Sequence, residues 1–235
     1  GNSKDDRSRA EKCGDVHRGY GTGEDSHSFM QSSLYYTDEL QAFRRTIGKE
    51  KFEPIPIYAT EEAWNEISKR FGYLEGSILD KRTIYPGISI SDLPKEMRTK
   101  GIEIIPFKTY HGRTARGSVG FIIMAEKKKI IYTSDLWDTV RDYRIYEPDK
   151  PNLLIMEANW FKEPEVQPAN PHMSFERALK FTEEWNPTKT YLIHMSHEEG
   201  LTHEEWIDHV KERAEGYFKR DIDANVSYDG EVISL

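Results

Sequence analysis

The pattern of apolar and polar residues changes near residue 34. The first 33 residues are rich in Gly, Ser, Asp, Lys and Arg and have no apolar period, which predicts a loosely ordered leader over 1–33. From Leu34 onwards apolar residues recur at regular spacings. We therefore expect one folded domain over 34–235.

Four stretches have the spacing of amphipathic helices: YTDELQAFRRTIG, EEAWNEISKRFG, MSFERALKFTEEWNP and THEEWIDHVKERAEGYF. Thr60 is an expected N-cap of the second, which is predicted to bury Trp64, Ile67 and Phe71. Seven stretches are predicted strands: PIPIYAT, IEIIPFKTYH, VGFIIMAE, KKIIYTSD, PNLLIMEAN, KTYLIH and ANVSYDGEVISL. We expect the lysine run 127–129 to turn a hairpin. Strands that alternate with helices predict a layered α/β fold.

Polar side chains close several of the predicted strands. His111, Asp135 and His194 each end one, and the apolar strand PNLLIMEAN runs out at Glu157, Ala158 and Asn159. Sites in α/β folds tend to lie beyond the carboxyl ends of strands, and imidazole and carboxylate suit Zn²⁺, Mn²⁺ or Fe²⁺. One such residue alone could equally cap a loop. Three together favour a metal site.

The overall composition limits the kinds of partner and the cell compartment that we expect. A formal charge of −8 argues against a broad nucleic-acid footprint but leaves a small anionic substrate open, because local charges or a metal can reverse the field inside a pocket. The apolar runs are too short to cross a bilayer. A single cysteine, Cys13, cannot form an internal disulfide, which fits the cytoplasm. We expect a cytoplasmic protein without membrane contact.

Six stretches in order carry a resemblance to a known family: IIPFKTYHG, KKIIYTSDLWDT, PNLLIMEANWF, NPHMSFERALKF, KTYLIHMSHE and VSYDGEVISL. Over 34–235 the chain resembles the metallo-β-lactamase-fold metallohydrolases. The branch of the cyclic-phosphate phosphodiesterase of phosphonate metabolism is the most similar, and the tRNA 3′-processing endonucleases are more distant. The resemblance implies an αββα sandwich of two sheets flanked by helices.

The resemblance also implies roles for individual residues. His111 would bind one metal, Asp135 would bridge two, and His194 would bind the second. In this family the ions hold a hydroxide that attacks a phosphoryl or carbonyl group. His172 matches a general acid or substrate clamp, although it could instead be a plain residue at a helix start. His197 would orient a ligand or touch substrate, or be an ordinary loop histidine.

One family motif has no counterpart. HxHxDH is expected just before the helix YYTDELQAFRRTI, where the chain reads DSHSFMQSSL and has only His27. Three explanations stay open: a divergent member, a truncated or misread gene, or a segment omitted before Leu34. We expect the opening strands of the fold to be missing or replaced. An open sheet edge would allow a homodimer.

These observations predict a metal-dependent hydrolase that acts on a phosphodiester through a metal-activated hydroxide. Zn²⁺ is the expected ion, with Mn²⁺ or Fe²⁺ as alternatives. His111, Asp135 and His194 alone would hold at most one ion well, and a second would need the missing ligands. Two alternatives remain: a catalytically degenerate scaffold or binding protein, and an ester or thioester hydrolase of the same fold.

Overall fold

The computed structural model describes residues 44–46, 48, 52–112, 115–139, 150–160, 172–196, 200–218 and 223–235. Its elements, in chain order, are β1 (Ile55–Ala59), α1 (Glu61–Phe71), a 3₁₀ turn (Gly72–Leu74), β2 (Leu79–Thr83), α2 (Lys95–Thr99), β3 (Glu103–Tyr110), β4 (Val119–Ala125), β5 (Lys128–Tyr132), β6 (Asp138–Thr139), β7 (Leu153–Glu157), α3 (Phe175–Trp185), β8 (Lys189–Ile193), α4 (His203–Tyr217) and β9 (Asp223–Val226).

Seven strands form one mixed sheet in the order β6-β3-β4-β5-β7-β8-β9. The neighbours β3, β4 and β5 are antiparallel, whereas β5, β7, β8 and β9 run parallel. Because β3 and β5 both run opposite to β4, they share the direction of β7 and β8. The carboxyl ends of β3, β5, β7 and β8 therefore lie at the same edge of the sheet.

The main core lies between this sheet and two helices. Ser174 caps α3 by accepting a hydrogen bond from the Arg177 N–H at 3.3 Å, and α3 ends at Asn186 in the left-handed region. Thr202 and Glu205 form a capping box that starts α4. The core residues include Phe107, Ile131, Leu154, Met156, Phe175, Leu179, Trp185, Leu192, Trp206 and Val210. As predicted, the apolar faces of both helices are buried.

A smaller unit is built from β1, α1 and β2, whose two strands pair in parallel. Trp64 and Ile67 of α1 are buried in a core of their own, as the helical period predicts, whereas Phe71 at the helix end is only partly buried against it. Thr60 caps α1 through a hydrogen bond from the Ala63 N–H, and its hydroxyl donates to the Gly117 carbonyl at 3.0 Å. This contact ties the small unit to the loop before β4.

Several element boundaries differ from the prediction. Lys128 and Lys129 belong to β5, and Glu126 and Lys127 alone form the hairpin turn in the left-handed region, so placing the turn at 127–129 was wrong. The terminal strand ends at Val226, because Ser227 begins an irregular segment that contains the predicted Asp229-Gly230 turn. The pattern did not predict β2, α2 or β6.

Part of the prediction lies outside the described residues. The leader over 1–33 does, and of the helix predicted before Gly48 only residues 44–46 are described, as helix. Within the described ranges, no helix is long and apolar enough to cross a membrane. The α/β class is confirmed by the mixed sheet and its packed helices.

Candidate metal centre

Five side chains meet beyond the common carboxyl edge of β3, β5, β7 and β8. We call them the histidine–carboxylate cluster, which consists of His111, Asp135, Glu157, His172 and His194. All three sequence-predicted metal ligands and the predicted acid or clamp, His172, are among them. The fifth predicted site residue, His197, lies outside the described residues, as does His27.

Hydrogen bonds outside the strands bring two of the loops to this edge. The Trp137 N–H donates to the Tyr110 carbonyl at 2.8 Å, which holds the loop after β5 beside the end of β3. That contact places Asp135 near His111, which is fully buried. Two residues in the loop, Thr133 and Ser134, are also buried.

His172 reaches the cluster through the chain that leaves β7. The Trp160 N–H donates to the Met173 carbonyl at 3.2 Å, and the Phe175 N–H donates to the Trp160 carbonyl at 2.6 Å. This short bridge places the start of α3 beside the last residue of β7. His172 therefore lies against Glu157, although the two residues are 15 positions apart in the sequence.

Two histidine–carboxylate pairs dominate the cluster. His194 Nδ1 lies 2.7 Å from Asp135 Oδ1 and 3.8 Å from Glu157 Oε1. His172 Nδ1 pairs with Glu157 Oε1. The imidazole centroids are 4.7 Å apart between His111 and His172 and 5.0 Å apart between His172 and His194. Three imidazoles and two carboxylates thus share one small volume.

Burial and charge determine the protonation of the pair formed by Asp135 and His194. Burial would raise the pKa of Asp135, but the hydrogen bond and positive charge of His194 outweigh it, so the pKa is lowered. The same hydrogen bond raises the pKa of His194 against the effect of its own burial. Both shifts favour the ion pair.

In the pair formed by Glu157 and His172, the pKa shifts disfavour the charged forms. Burial raises the pKa of Glu157 well above its usual value, although the Leu136 N–H donates to its carboxylate. Burial also lowers the pKa of His172, with help from the charge of His194. Both shifts disfavour charge, so this pair favours a neutral carboxylic acid beside a neutral imidazole.

The cluster fits a divalent ion by its donor set and its dimensions. The ligand atoms of His111, Asp135 and His172 all lie within 4.8 Å of one another, and so do those of Glu157, His172 and His194. A tetrahedral ion with bonds of about 2.0–2.2 Å holds its donors about 3.3–3.6 Å apart, so small side-chain movements close either triad. Nitrogen and carboxylate donors suit Zn²⁺, Mn²⁺ and Fe²⁺.

Glu157 is the cluster member that sequence reasoning did not assign. It is the last residue of β7 and is fully buried. A usable signal existed, because a glutamate that ends a strand buried on both faces must find partners. Asn159 was also missed. Its side-chain amide donates to the His194 carbonyl at 3.1 Å.

The fold and this cluster define a metallo-β-lactamase-like chain. A family model described as the beta-lactamase superfamily domain matches residues 37–195, and the chain belongs to that family of metallohydrolase folds. No curated protein sequence matches the chain significantly.

Solved structures agree on the fold. A new diphosphatase from the PhnP family is 18% identical with a TM-score of 0.58, over 84% of this chain and 65% of that chain. The metallo-β-lactamase-fold protein YhfI from Bacillus subtilis is 18% identical with a TM-score of 0.63, over 88% and 75%. Zn²⁺-bound PqqB from Methylobacterium extorquens is 13% identical with a TM-score of 0.56, over 86% and 68%. The chain thus spans less than two thirds of the diphosphatase. At these identities the likeness establishes the predicted metallo-β-lactamase-like sandwich and no more.

Proposed function

We propose that this chain is a metal-dependent hydrolase that cleaves phosphodiesters. The observation that carries the proposal is the meeting of three imidazoles and two carboxylates beyond one sheet edge, drawn from residues far apart in sequence. Similarity in fold to a diphosphatase supports a phosphoryl substrate, and similarity to a zinc-bound protein supports Zn²⁺. A partly open cluster, in which 41% of the His194 side chain is exposed, leaves an approach for a small substrate.

The predicted ligands His111, Asp135 and His194 would hold the ion. Two groups have ligand atoms within 4.8 Å of one another, His111 with Asp135 and His172, and His194 with Glu157 and His172, so His172 lies beside all three of them. A bound divalent ion lowers the pKa of a water molecule and polarises the group under attack. The chain's own residues would orient the substrate and supply protons. A small anionic substrate suits a pocket whose net charge the ion makes more positive.

The pair of His172 and Glu157 is placed to hold the proton that the leaving oxygen needs. Since Nδ1 of His172 faces Glu157 Oε1, the other ring nitrogen, Nε2, is the one that would donate. Burial raises the pKa of Glu157 and lowers the pKa of His172, which favours a carboxylic acid beside a neutral imidazole, so Glu157 can pass its proton to Nδ1 as Nε2 gives its own proton to the leaving oxygen. His172 therefore acts as general acid, with Glu157 as its proton partner.

The test is turnover of bis(p-nitrophenyl) phosphate with added Zn²⁺, Mn²⁺ or Fe²⁺. We expect metal-dependent release of nitrophenolate that His194→Ala abolishes and that His172→Ala lowers about 10²–10⁴-fold, the usual contribution of a general acid. His203→Ala is the matched control, because His203 is exposed on α4, where it contacts the Ser227 carbonyl and the Tyr228 ring and is not a member of the histidine–carboxylate cluster. Equal loss in that variant would contradict the proposal.

A non-catalytic scaffold is the second candidate, because residues 1–43 of this sequence contain no HxHxDH. In that case the folded protein binds a metal or ligand at the cluster but turns over neither the phosphodiester nor p-nitrophenyl acetate. Hydrolysis of the acetate alone would instead favour the ester or thioester hydrolase. The two substrates, assayed side by side, separate the three functions.

A further inference from the structure

His194 has an unusual backbone. Its φ is 59°, in the left-handed region, directly after the end of β8. A residue with a Cβ rarely adopts this conformation, and it persists where the surroundings impose it. A specific contact is therefore needed to hold the turn at His194.

Asn159 supplies that contact from the neighbouring chain. Its side-chain Nδ2 donates to the His194 carbonyl at 3.1 Å, and its own carbonyl accepts from the Ser196 N–H at 2.9 Å. One residue earlier, the Ala158 N–H donates to the Ile193 carbonyl at 2.9 Å. The chain just after β7 thus holds the turn at Ile193, His194 and Ser196, and the side-chain bond is the one made to the left-handed residue.

The direction of the His194 ring depends on this turn. With the backbone so held, Nδ1 lies 2.7 Å from Asp135 Oδ1 and 3.8 Å from Glu157 Oε1. A return of φ to the common right-handed or extended regions would swing the Cα–Cβ bond and carry the ring away from both carboxylates. Asn159 itself is 8% exposed, so water has little access to replace its amide.

We propose that Asn159 is a positioning residue, which holds the left-handed turn at His194 and thereby aims the imidazole at the metal position. This inference rests on the proposed metal site, since it assigns Asn159 a role in the affinity of that site. Partners that orient metal ligands typically contribute about 10- to 100-fold to metal affinity.

The chain offers a matched control at the opposite end of β7. Asn152 Oδ1 accepts from the Lys129 N–H at 2.8 Å, so it too ties β7 to a neighbouring main chain. Asn152→Leu and Asn159→Leu therefore remove comparable side-chain bonds from the same strand. Only Asn159 touches the turn at His194.

Two readouts decide between positioning and general loosening of the sheet. The first is the dissociation constant of Co²⁺ or Zn²⁺, measured by competition with a chromophoric chelator. We expect N159L to bind about 10- to 100-fold more weakly than wild type, with a changed visible spectrum of bound Co²⁺, and N152L to bind as wild type does. Unchanged binding in N159L, or equal weakening in N152L, overturns the inference.

The second readout needs no metal. In the metal-free protein the His194 Nδ1 proton, hydrogen-bonded to Asp135, should give a slowly exchanging NMR signal that N152L keeps and N159L loses. Survival of this NMR signal in N159L would overturn the inference, whether or not the wild-type protein binds an ion. Failure of the wild-type protein to bind an ion would refute the proposed function but not this inference. Should N159L fail to fold, Asn159→Ser shortens the side chain below reach of the His194 carbonyl and serves the same comparison.

Discussion

Replacing Glu157 separates its role as a buried acceptor from its role as a proton carrier. Its carboxylate accepts from the Leu136 N–H and from the Met173 N–H, and no part of it is exposed. Glu157→Ala leaves both donors buried without that acceptor, at about 1–3 kcal/mol each, and opens a cavity as well. Removing a carboxyl group whose burial is unfavourable offsets part of this cost, so we expect the free energy of unfolding to fall by about 3–5 kcal/mol.

Glu157→Gln provides the contrast. The amide oxygen still accepts from Leu136 and the side-chain volume is kept, so the expected cost is about 1 kcal/mol or less. The measurement is urea unfolding of the metal-free proteins, where a loss of 3–5 kcal/mol is a large share of a typical stability of about 5–15 kcal/mol. Equal costs for the two variants would refute the reasoning.

The same pair of variants tests the pKa of Glu157. Because burial raises this pKa in the folded protein, the unfolded chain releases its proton first as pH rises through the usual carboxyl range. Wild-type stability should therefore fall with rising pH until the folded pKa is passed. In Glu157→Gln the free energy of unfolding should not show this fall with rising pH. If the variant shows the same fall, another titrating group causes it.

Three further predictions concern the core and the ion pair. A Cβ on Gly120 would lie 2.4 Å from Cζ of Phe107, so Gly120→Ala should lower the free energy of unfolding by about 1–3 kcal/mol, whereas Gly216→Ala, with nothing within 4 Å, should not destabilise the fold. In the metal-free protein, the stability of wild type over Asp135→Asn should be greatest between the usual pKa ranges of Asp and His. That advantage should shrink as pH falls through the lowered pKa of Asp135 and as pH rises through the raised pKa of His194, and a pH-independent difference would contradict it.

Strand ends were predictable because an apolar alternation that stops at a polar residue marks them locally. His111 directly follows β3 and His194 directly follows β8, as expected. The strand predicted to run to Asp135 ends three residues earlier, at Tyr132, because the chain leaves the sheet through Thr133 and Ser134, and Ser134 is left-handed. The sheet then places these ends together, so sequence pattern and topology suffice for the three proposed ligands.

Other features depend on tertiary contacts that no local pattern displays. The sequence of β2, LDKRT, carries three charged residues and pairs as a strand because β1 lies beside it. The bridge between Trp160 and Ser174 brings His172 to the cluster. The role of Glu157 likewise becomes visible once α3 is docked. The sequence pattern therefore indicated His111, Asp135 and His194 at strand ends, and His172 was predicted through the family resemblance, whereas the contact between His172 and Glu157 was not predicted.

The central claim is that the histidine–carboxylate cluster binds a divalent ion, and metal analysis of the purified chain tests it most directly. Elemental analysis of wild type, His194→Ala and His203→Ala, each loaded with Zn²⁺, Mn²⁺ or Fe²⁺ and then desalted, gives the stoichiometry. We expect about one ion per chain in wild type and His203→Ala, and a large loss in His194→Ala. Trace metal in wild type, unchanged by His194→Ala, would contradict the claim.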